Sequence, residues 1–438
     1  MDRERLDIEN EILDKLAGKI CLMESVDKRK ESMFGIFLEV YNTNRCKRFI
    51  ARNKGLELET FFKEFLSYGI IEEFLNDPEV EDIMINSLAP IYVHKTTAGL
   101  VKTDKHFETK EELELFVKKL IVFSGRTGIK KINNIELNDI KGRVNIAYSP
   151  FGPQITITRA KEKPLSITDL IFNRTLTPQI AAQLWLYVEG LSIRPANLII
   201  SGGPGSGKTT LLNALFSFIS SSERLVIIED TLELNSNYEE NCSRLESDEE
   251  LSLADLVKNS LRMRPDRIIV GEVRGREAQD MMTAMNIGKY CMGTLHASSA
   301  RETVIRLQNE PMNVPESLIN LIDVIVIMRR YNIKGDVFRA LGEIVEIAGI
   351  ENKTVLLSSL WSYDPIKREF QESMVSSIYR DKLAQATGRN PREIIEEVRL
   401  RTKFIEKLLE KNIRDIRDVS HFCRRYNINP QEEFKELD

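Results

Sequence analysis

An α/β fold around a largely parallel sheet is what this sequence predicts, and three observations lead to it. Between about residues 165 and 350, short apolar strands alternate with helical patterns, the order that builds parallel strands through crossover helices. The stretch GGPGSGKTT, Gly202 to Thr210, lies between the apolar run Asn197–Ser201 and the helix-patterned Leu211–Phe216. Several of the strands end in residues able to do chemistry, and ligands of open parallel sheets bind outside those ends.

Composition bounds the rest. At 438 residues the chain exceeds what one core usually serves, so two or three domains are expected. A hydrophobic share of 42% and a charged share of 29% describe an ordinary globular protein. The 62 Lys and Arg against 67 Asp and Glu leave a net charge of -5, so no global basic surface advertises nucleic acid. The most apolar run, Leu318–Met328, is too short to span a bilayer and carries Asp323. The charged start leads into no apolar segment, and no signal peptide is expected. Five scattered cysteines without a CxxC pair fit a reducing cytoplasm and argue against structural zinc or a disulfide framework.

In chain order, residues 1 to about 70 read as helical and charged, with Leu6, Ile8, Ile12, Leu13 and Leu16 on one face. From about 71 to 160, Val80–Asn86, Ile91–His94 and Gln154–Arg159 read as strands and Lys110–Phe123 as an amphipathic helix. Lys163-Pro164-Leu165 reads as a hinge, because proline drives its predecessor out of the helical region. Beyond it, Ser252 with Asp255 and Ser299 with Glu302 are spaced as capping boxes, and Pro265 and Gly288 as helix stops. After about 350 the chain is first strand-like, at Thr354–Leu357. It is then helical from Ile378 to Glu410, with mixed charges expected to form a solvated face.

The glycine-rich stretch carries the strongest signal. Gly202, Gly203, Pro204, Gly205, Ser206 and Gly207 let backbone N–H groups turn inward around phosphate oxygens, where side chains would block the approach. Lys208 supplies a point charge for the β- and γ-phosphates, Thr209 a hydroxyl for Mg²⁺, and Thr210 continues the helix whose positive end faces the anion. The strand Arg224–Ile228 ends in Glu229-Asp230, where a carboxylate can activate water or hold it on the metal; a helix cap with surface acids is the bland alternative. The strand Arg267–Val270 ends in Gly271-Glu272, so Glu272 must take the metal-ordering role that an aspartate usually fills at position 271. A fourth strand, from Cys291, ends in His296, either a structural histidine or a γ-phosphate sensor.

Together, Gly202–Thr209, IIEDTLEL through Glu229, LRMRPDRIIVGEVRG through Glu272 and GTLHA through His296 resemble the type II/type IV secretion-system ATPase superfamily. The likeness points to its pilus-assembly and archaeal secretion branch. It implies a RecA-like P-loop domain, a smaller α+β N-terminal domain and helical extensions at both ends, bounded as 1–70, 71–163, 164–350 and 351–438. It further implies a cytoplasmic ATPase using ATP and Mg²⁺, assembled as a homo-hexamer on a polytopic inner-membrane platform protein. Such a motor engages pilin-like subunits only indirectly, and no direct nucleic-acid contact is expected. Carried over residue by residue, Glu229 resembles the water-activating glutamate, Glu272 the Mg²⁺-ordering glutamate and His296 the phosphate sensor. Arg143 and Arg159 resemble the arginines through which the N-terminal domain reaches the phosphates, a task suited to a forked guanidinium. The sequence departs from the family's habit at Thr158-Arg159, where two arginines are common, at Lys289-Tyr290, and in the approach Ile135–Gly142. A RecA-like nucleic-acid translocase and a nucleotide-gated scaffold without turnover are the competing readings. The negative charge and the absence of interleaved aromatic and basic residues weigh against the translocase.

Overall fold

The computed structural model describes residues 3–437 except 54–55, 138, 141, 160–163, 236–240, 249, 334–335 and 374. The chain divides into two compact units, Met1–Glu162 and Lys163–Asp438. Of the expected hinge, Lys163 lies outside the described residues.

The first unit is built on six strands: β1 (Val80–Asn86), β2 (Tyr92–Lys95), β3 (Gly99–Lys102), β4 (Ile132–Leu137), β5 (Gly142–Ser149) and β6 (Gly152–Arg159). They lie in the order β3-β2-β1-β6-β5-β4, every neighbouring pair antiparallel. Alternation explains why: in β6 Ile155 and Ile157 are buried while Thr156 between them is exposed, so one face of the sheet meets a core. The helix Lys110–Phe123, capped by Thr109, packs on that face against β4 and β6. The helix Arg3–Leu16 then packs on Lys110–Phe123, and Lys118 Nζ fastens the pair to Asp14 at 2.6 Å. Ile8, Phe37, Phe61, Ile83 and Ile157 belong to one apolar cluster. The helical segment 1–70 is therefore part of the same compact unit as the sheet.

The second unit holds β7 (Leu198–Gly202), β8 (Leu225–Glu229), β9 (Cys242–Glu246), β10 (Arg267–Val273), β11 (Tyr290–Leu295), β12 (Val324–Ile333), β13 (Asp336–Glu351), β14 (Thr354–Asp364) and β15 (Glu369–Glu372). Their order is β15-β14-β13-β12-β7-β11-β10-β8-β9. From β12 to β9 neighbours run parallel, and β13 to β15 extend the sheet antiparallel. Every residue of β7 and β8 is buried, which is why these strands read as unbroken apolar runs without alternation. The division expected near residue 350 falls at the turn between β13 and β14, which pair from Glu343–Ser362 to Glu351–Thr354. Its second strand begins with the strand-like stretch Thr354–Leu357, and its pairing with β13 carries the sheet across the expected boundary.

Helix ends follow local chemistry. Ser252 and Asp255 form the full capping box on Leu253–Ser260. Ser299 caps Ala300–Gln308, but the Glu302 carboxylate accepts from Ser298 N at 2.7 Å and not from Ser299, so the second expected box is half formed. Gly288, at φ +86°, follows Glu277–Asn286 as a left-handed stop.

The C-terminal helix Pro391–Glu410 packs on Pro178–Glu189. Trp185 stacks on Phe218 with ring centres 5.1 Å apart and also meets Phe404 and Tyr426. The expected solvated face therefore needs a correction at Arg401. Its guanidinium is buried, bonds Glu189 at 2.7 Å and Glu397 at 2.9 Å, and lies over the Trp185 ring.

Candidate nucleotide site

Glycine is sterically required where β7 leaves the sheet. A Cβ on Gly202 would stand 2.4 Å from both the Met328 carbonyl of β12 and Ser206 Oγ. Gly205 and Gly207 take φ of +65° and +95°, values that side chains strongly disfavour. The helix Lys208–Leu215 starts directly after Gly207, with no side chain capping it. Its first turn of N–H groups and its positive dipole end are thereby aimed at the loop. Thr209 and Thr210 are half-buried in that turn, and Ser206 is buried with its hydroxyl unpartnered.

Three residues from separate elements form a chain across this loop. Lys208 Nζ donates to the Gly203 carbonyl at 3.1 Å and stands 3.5 Å from His296 Nδ1. His296 Nε2 stands 3.4 Å from Glu272 Oε1. Burial lowers the Lys208 pKa, while Glu272 and Glu233 act to raise it. The ends of β10 and β11 bring Glu272 and His296 to Lys208, as their strand-end positions require.

Glu229, at the end of β8, is almost fully buried. Its Oε1 accepts from the backbone N–H of Glu233 at 2.9 Å and of Leu234 at 3.0 Å, and Arg244 Nη2 stands 3.7 Å from Oε2. Burial nevertheless dominates and pushes its pKa up to about 7, against the opposing pull of the two N–H groups and Arg244. Gly271 explains how this carboxyl fits, since a Cβ there would lie 2.8 Å from Glu229 Cγ. An aspartate at 271 has no room, which leaves the acidic role at this strand end to Glu272. Asp230, next to Glu229, is engaged by Arg274 and by Ser247 Oγ.

Arg143 and Arg159 lie in the first unit. Arg143 sits in β5 opposite Thr158 and Glu136. Arg159, closing β6, donates from Nη1 to the carbonyls of Asp77 and Val80, the latter at 3.0 Å. Its hydrogen-bond partners among the described residues are thus backbone carbonyls, and Asp139 stands 3.9 Å from Arg29.

The profile of the family described as Type II/IV secretion system protein matches residues 134–412. The chain belongs to that family. The match opens within β4 and takes in β5, β6, the whole nine-stranded sheet and the helix Pro391–Glu410. Among relatives, the uncharacterized protein MJ0900 of Methanocaldococcus jannaschii is 32% identical over 82% of this chain and 67% of its own length. The conjugal transfer protein TrbB of Rhizobium radiobacter is 29% identical over 64% of this chain and 87% of its own. Among solved structures, the ATPase DotB of Legionella pneumophila covers 79% of this chain and 88% of its own, with 18% identity and a TM-score of 0.48.

Two further arginines border the loop and escape the sequence reading. Arg339 of β13 donates from Nε to the Gly205 carbonyl at 2.7 Å, and Arg330 of β12 brings Nη1 to 3.9 Å from a Cβ placed on Gly205. The signal was present in Met328-Arg329-Arg330, which follows an apolar strand as the other site residues do. Met328 pairs with Gly202, so β12 continues past the point where β7 turns into the loop. Arg244, beside Glu229, was likewise missed, because it comes from β9, a strand without a strong apolar pattern.

Proposed function

We propose that this chain is an ATP-hydrolysing cytoplasmic motor that powers protein secretion or the assembly of a type IV pilus-like filament. It works as a homo-hexameric ring on a polytopic inner-membrane platform protein and acts on pilin-like subunits only through that platform. The observation that carries the ATPase part is the line Lys208–His296–Glu272 across a glycine loop whose Gly202 admits no side chain. Membership of the Type II/IV secretion system family supports the motor role. The name of one relative, a conjugal transfer protein, fits a role in a transfer system.

The residues fit Mg·ATP on the structure's own terms. The loop's backbone N–H groups and the uncapped helix start suit phosphate oxygens, and the Ser206 hydroxyl is buried without a partner. Thr209 would hold Mg²⁺ directly and Glu272 through its water, and the bound ion would supply charge neutralisation at the phosphates. Lys208 leaves the Gly203 carbonyl for the phosphates, which compensates its buried charge. Glu229 takes a proton from the attacking water, and a carboxyl with a pKa of about 7 is poised for that at neutral pH. His296, linked to Lys208 and Glu272, reports γ-phosphate occupancy to both. Arg159 and Arg143 are the arginines we assign to added positive charge at the phosphates, as an arginine finger supplies.

The test is ATP turnover by the purified full chain beside Lys208→Ala. Mg²⁺-dependent hydrolysis that the variant loses supports the reading. Equal rates in the two proteins, or none in the wild type even with its platform protein, removes it.

A further inference from the structure

The glycine loop is braced from outside by one strand pair of the second unit. β12 meets it at its start, where the Met328 carbonyl leaves Gly202 no room for a side chain. β13 meets it at its tip through Arg339. Arg339 Cδ lies 3.7 Å from a Cβ placed on Gly207, and Nε donates to the Gly205 carbonyl at 2.7 Å. The side chain thus runs along the loop from Gly207 to Gly205.

Two observations single out this bond. Arg339 stands directly opposite Arg330 in the register of β12 and β13. Like charges facing each other across antiparallel strands weaken the pairing, so the sheet itself gains nothing from a second arginine here. The other observation is what the bond does to the Gly205–Ser206 peptide. A planar trans peptide directs its C=O and its N–H to opposite sides. With the Gly205 carbonyl drawn outward to Arg339, the Ser206 N–H turns into the loop, where it donates to the Gly203 carbonyl at 3.3 Å. The same carbonyl receives Lys208 Nζ at 3.1 Å. Two donors converging on one carbonyl are placed for a phosphate oxygen to take both.

The strand pair that carries Arg339 is itself tied down. Arg329 Nη2 donates to the Ser298 carbonyl at 3.3 Å, and Glu343 Oε1 accepts from Ala300 N at 3.1 Å, both just beyond His296. A side chain on a fixed strand holds a loop's geometry better than the loop holds its own.

We propose that Arg339 is a positioning residue for the nucleotide. Its Nε–H holds the Gly205 carbonyl outward and so keeps the Ser206 N–H presented to a phosphate oxygen. It acts through the loop and does not touch the nucleotide. This role rests on the nucleotide site proposed above, but not on what ATP turnover drives.

The experiment compares two substitutions in the full chain that keep the length of the side chain. Arg339→Gln puts an amide nitrogen as many bonds from the backbone as Nε, which keeps a donor and drops the charge. Arg339→Met puts a methyl there. Arg339 is exposed, so neither change disturbs the core. Affinity for fluorescent N-methylanthraniloyl-ADP should weaken about fivefold or more in Arg339→Met and stay within about twofold of wild type in Arg339→Gln. KM for ATP should follow the same order with kcat nearly constant, because a contact made alike in the ground and transition states moves KM alone. A partly unfolded preparation would instead lower kcat and leave KM. Unchanged affinity in Arg339→Met overturns the proposal. Equal weakening in both variants also overturns it, since charge and not a directed hydrogen bond would then be responsible. A wild type that binds ADP without hydrolysing ATP removes the motor reading, and the affinity comparison still decides the role of Arg339. A wild type that binds no nucleotide removes both.

Discussion

Glu229 shows how a single carboxyl can link stability to chemistry. Its ordinary pKa of 4.5 rises to about 7 in the folded chain because burial outweighs the two backbone N–H groups and Arg244. Between those two values the native state holds a proton that the unfolded state has released. Stability therefore falls as pH rises through that window and is level above it. Glu229→Gln keeps an acceptor for the N–H groups of Glu233 and Leu234 but cannot ionise. Between pH 4.5 and 7 the wild type should lose up to about 3 kcal/mol relative to this variant, measured by denaturant unfolding at a series of pH values. A constant difference between the two proteins would show that Glu229 titrates normally. The same substitution should slow ATP turnover while nucleotide binding persists, since only the proton acceptor is lost.

At the scale of elements, the site is a set of strand ends held in register. Gly271 belongs to β10, yet its lack of a side chain makes room for a residue of β8. Its carbonyl accepts from Thr294 Oγ1 of β11 at 2.6 Å, so the backbone there cannot easily retreat. Gly271→Ala places a methyl 2.8 Å from Glu229 Cγ and must displace that side chain or the strand. Overpacking of this kind costs roughly 1–3 kcal/mol. The variant should lose that much stability and most of its turnover, both readable from denaturant unfolding and an ATPase assay. Normal activity in Gly271→Ala would show that the buried position of Glu229 is immaterial. The β12–β13 hairpin adds Arg330 and Arg339 at the loop's other flank, so the antiparallel extension also serves the site.

Over the whole molecule, each unit closes its core with segments that look peripheral along the chain. In the second unit this closure depends on Arg401, buried between Glu189 and Glu397 and over Trp185. Arg401→Met removes the charge and leaves Glu189 buried without its partner, a change that typically costs about 3–5 kcal/mol. Thermal unfolding of the second unit should show that loss, and an unchanged midpoint would mean that the ion pair is not needed there. In the first unit Arg159 is bound to the carbonyls of Asp77 and Val80. The proposed finger role requires it to exchange those partners for phosphate oxygens. Arg159→Ala should then cut turnover by on the order of a hundredfold while ATP affinity falls much less. Turnover close to wild type would confine Arg159 to bracing the approach to β1.

By itself the sequence determined the P-loop, the order of strand-end acids and the histidine. Each of these is local, because a glycine spacing or an apolar run ending in a charge is written within about ten contiguous residues. It also determined the alternating β6 and the buried runs of β7 and β8, where periodicity reports burial directly. Tertiary structure alone decided which features meet. Gly271 faces Glu229, Arg339 reaches Gly205, and Arg401 finds Glu189 across 212 residues of chain. These contacts depend on strand order and helix packing, which no local pattern encodes. The mixed charges after residue 378 illustrate the physical reason. An arginine facing solvent and one paired in a core have the same local sequence signal, and only the neighbours brought to them by the fold tell them apart.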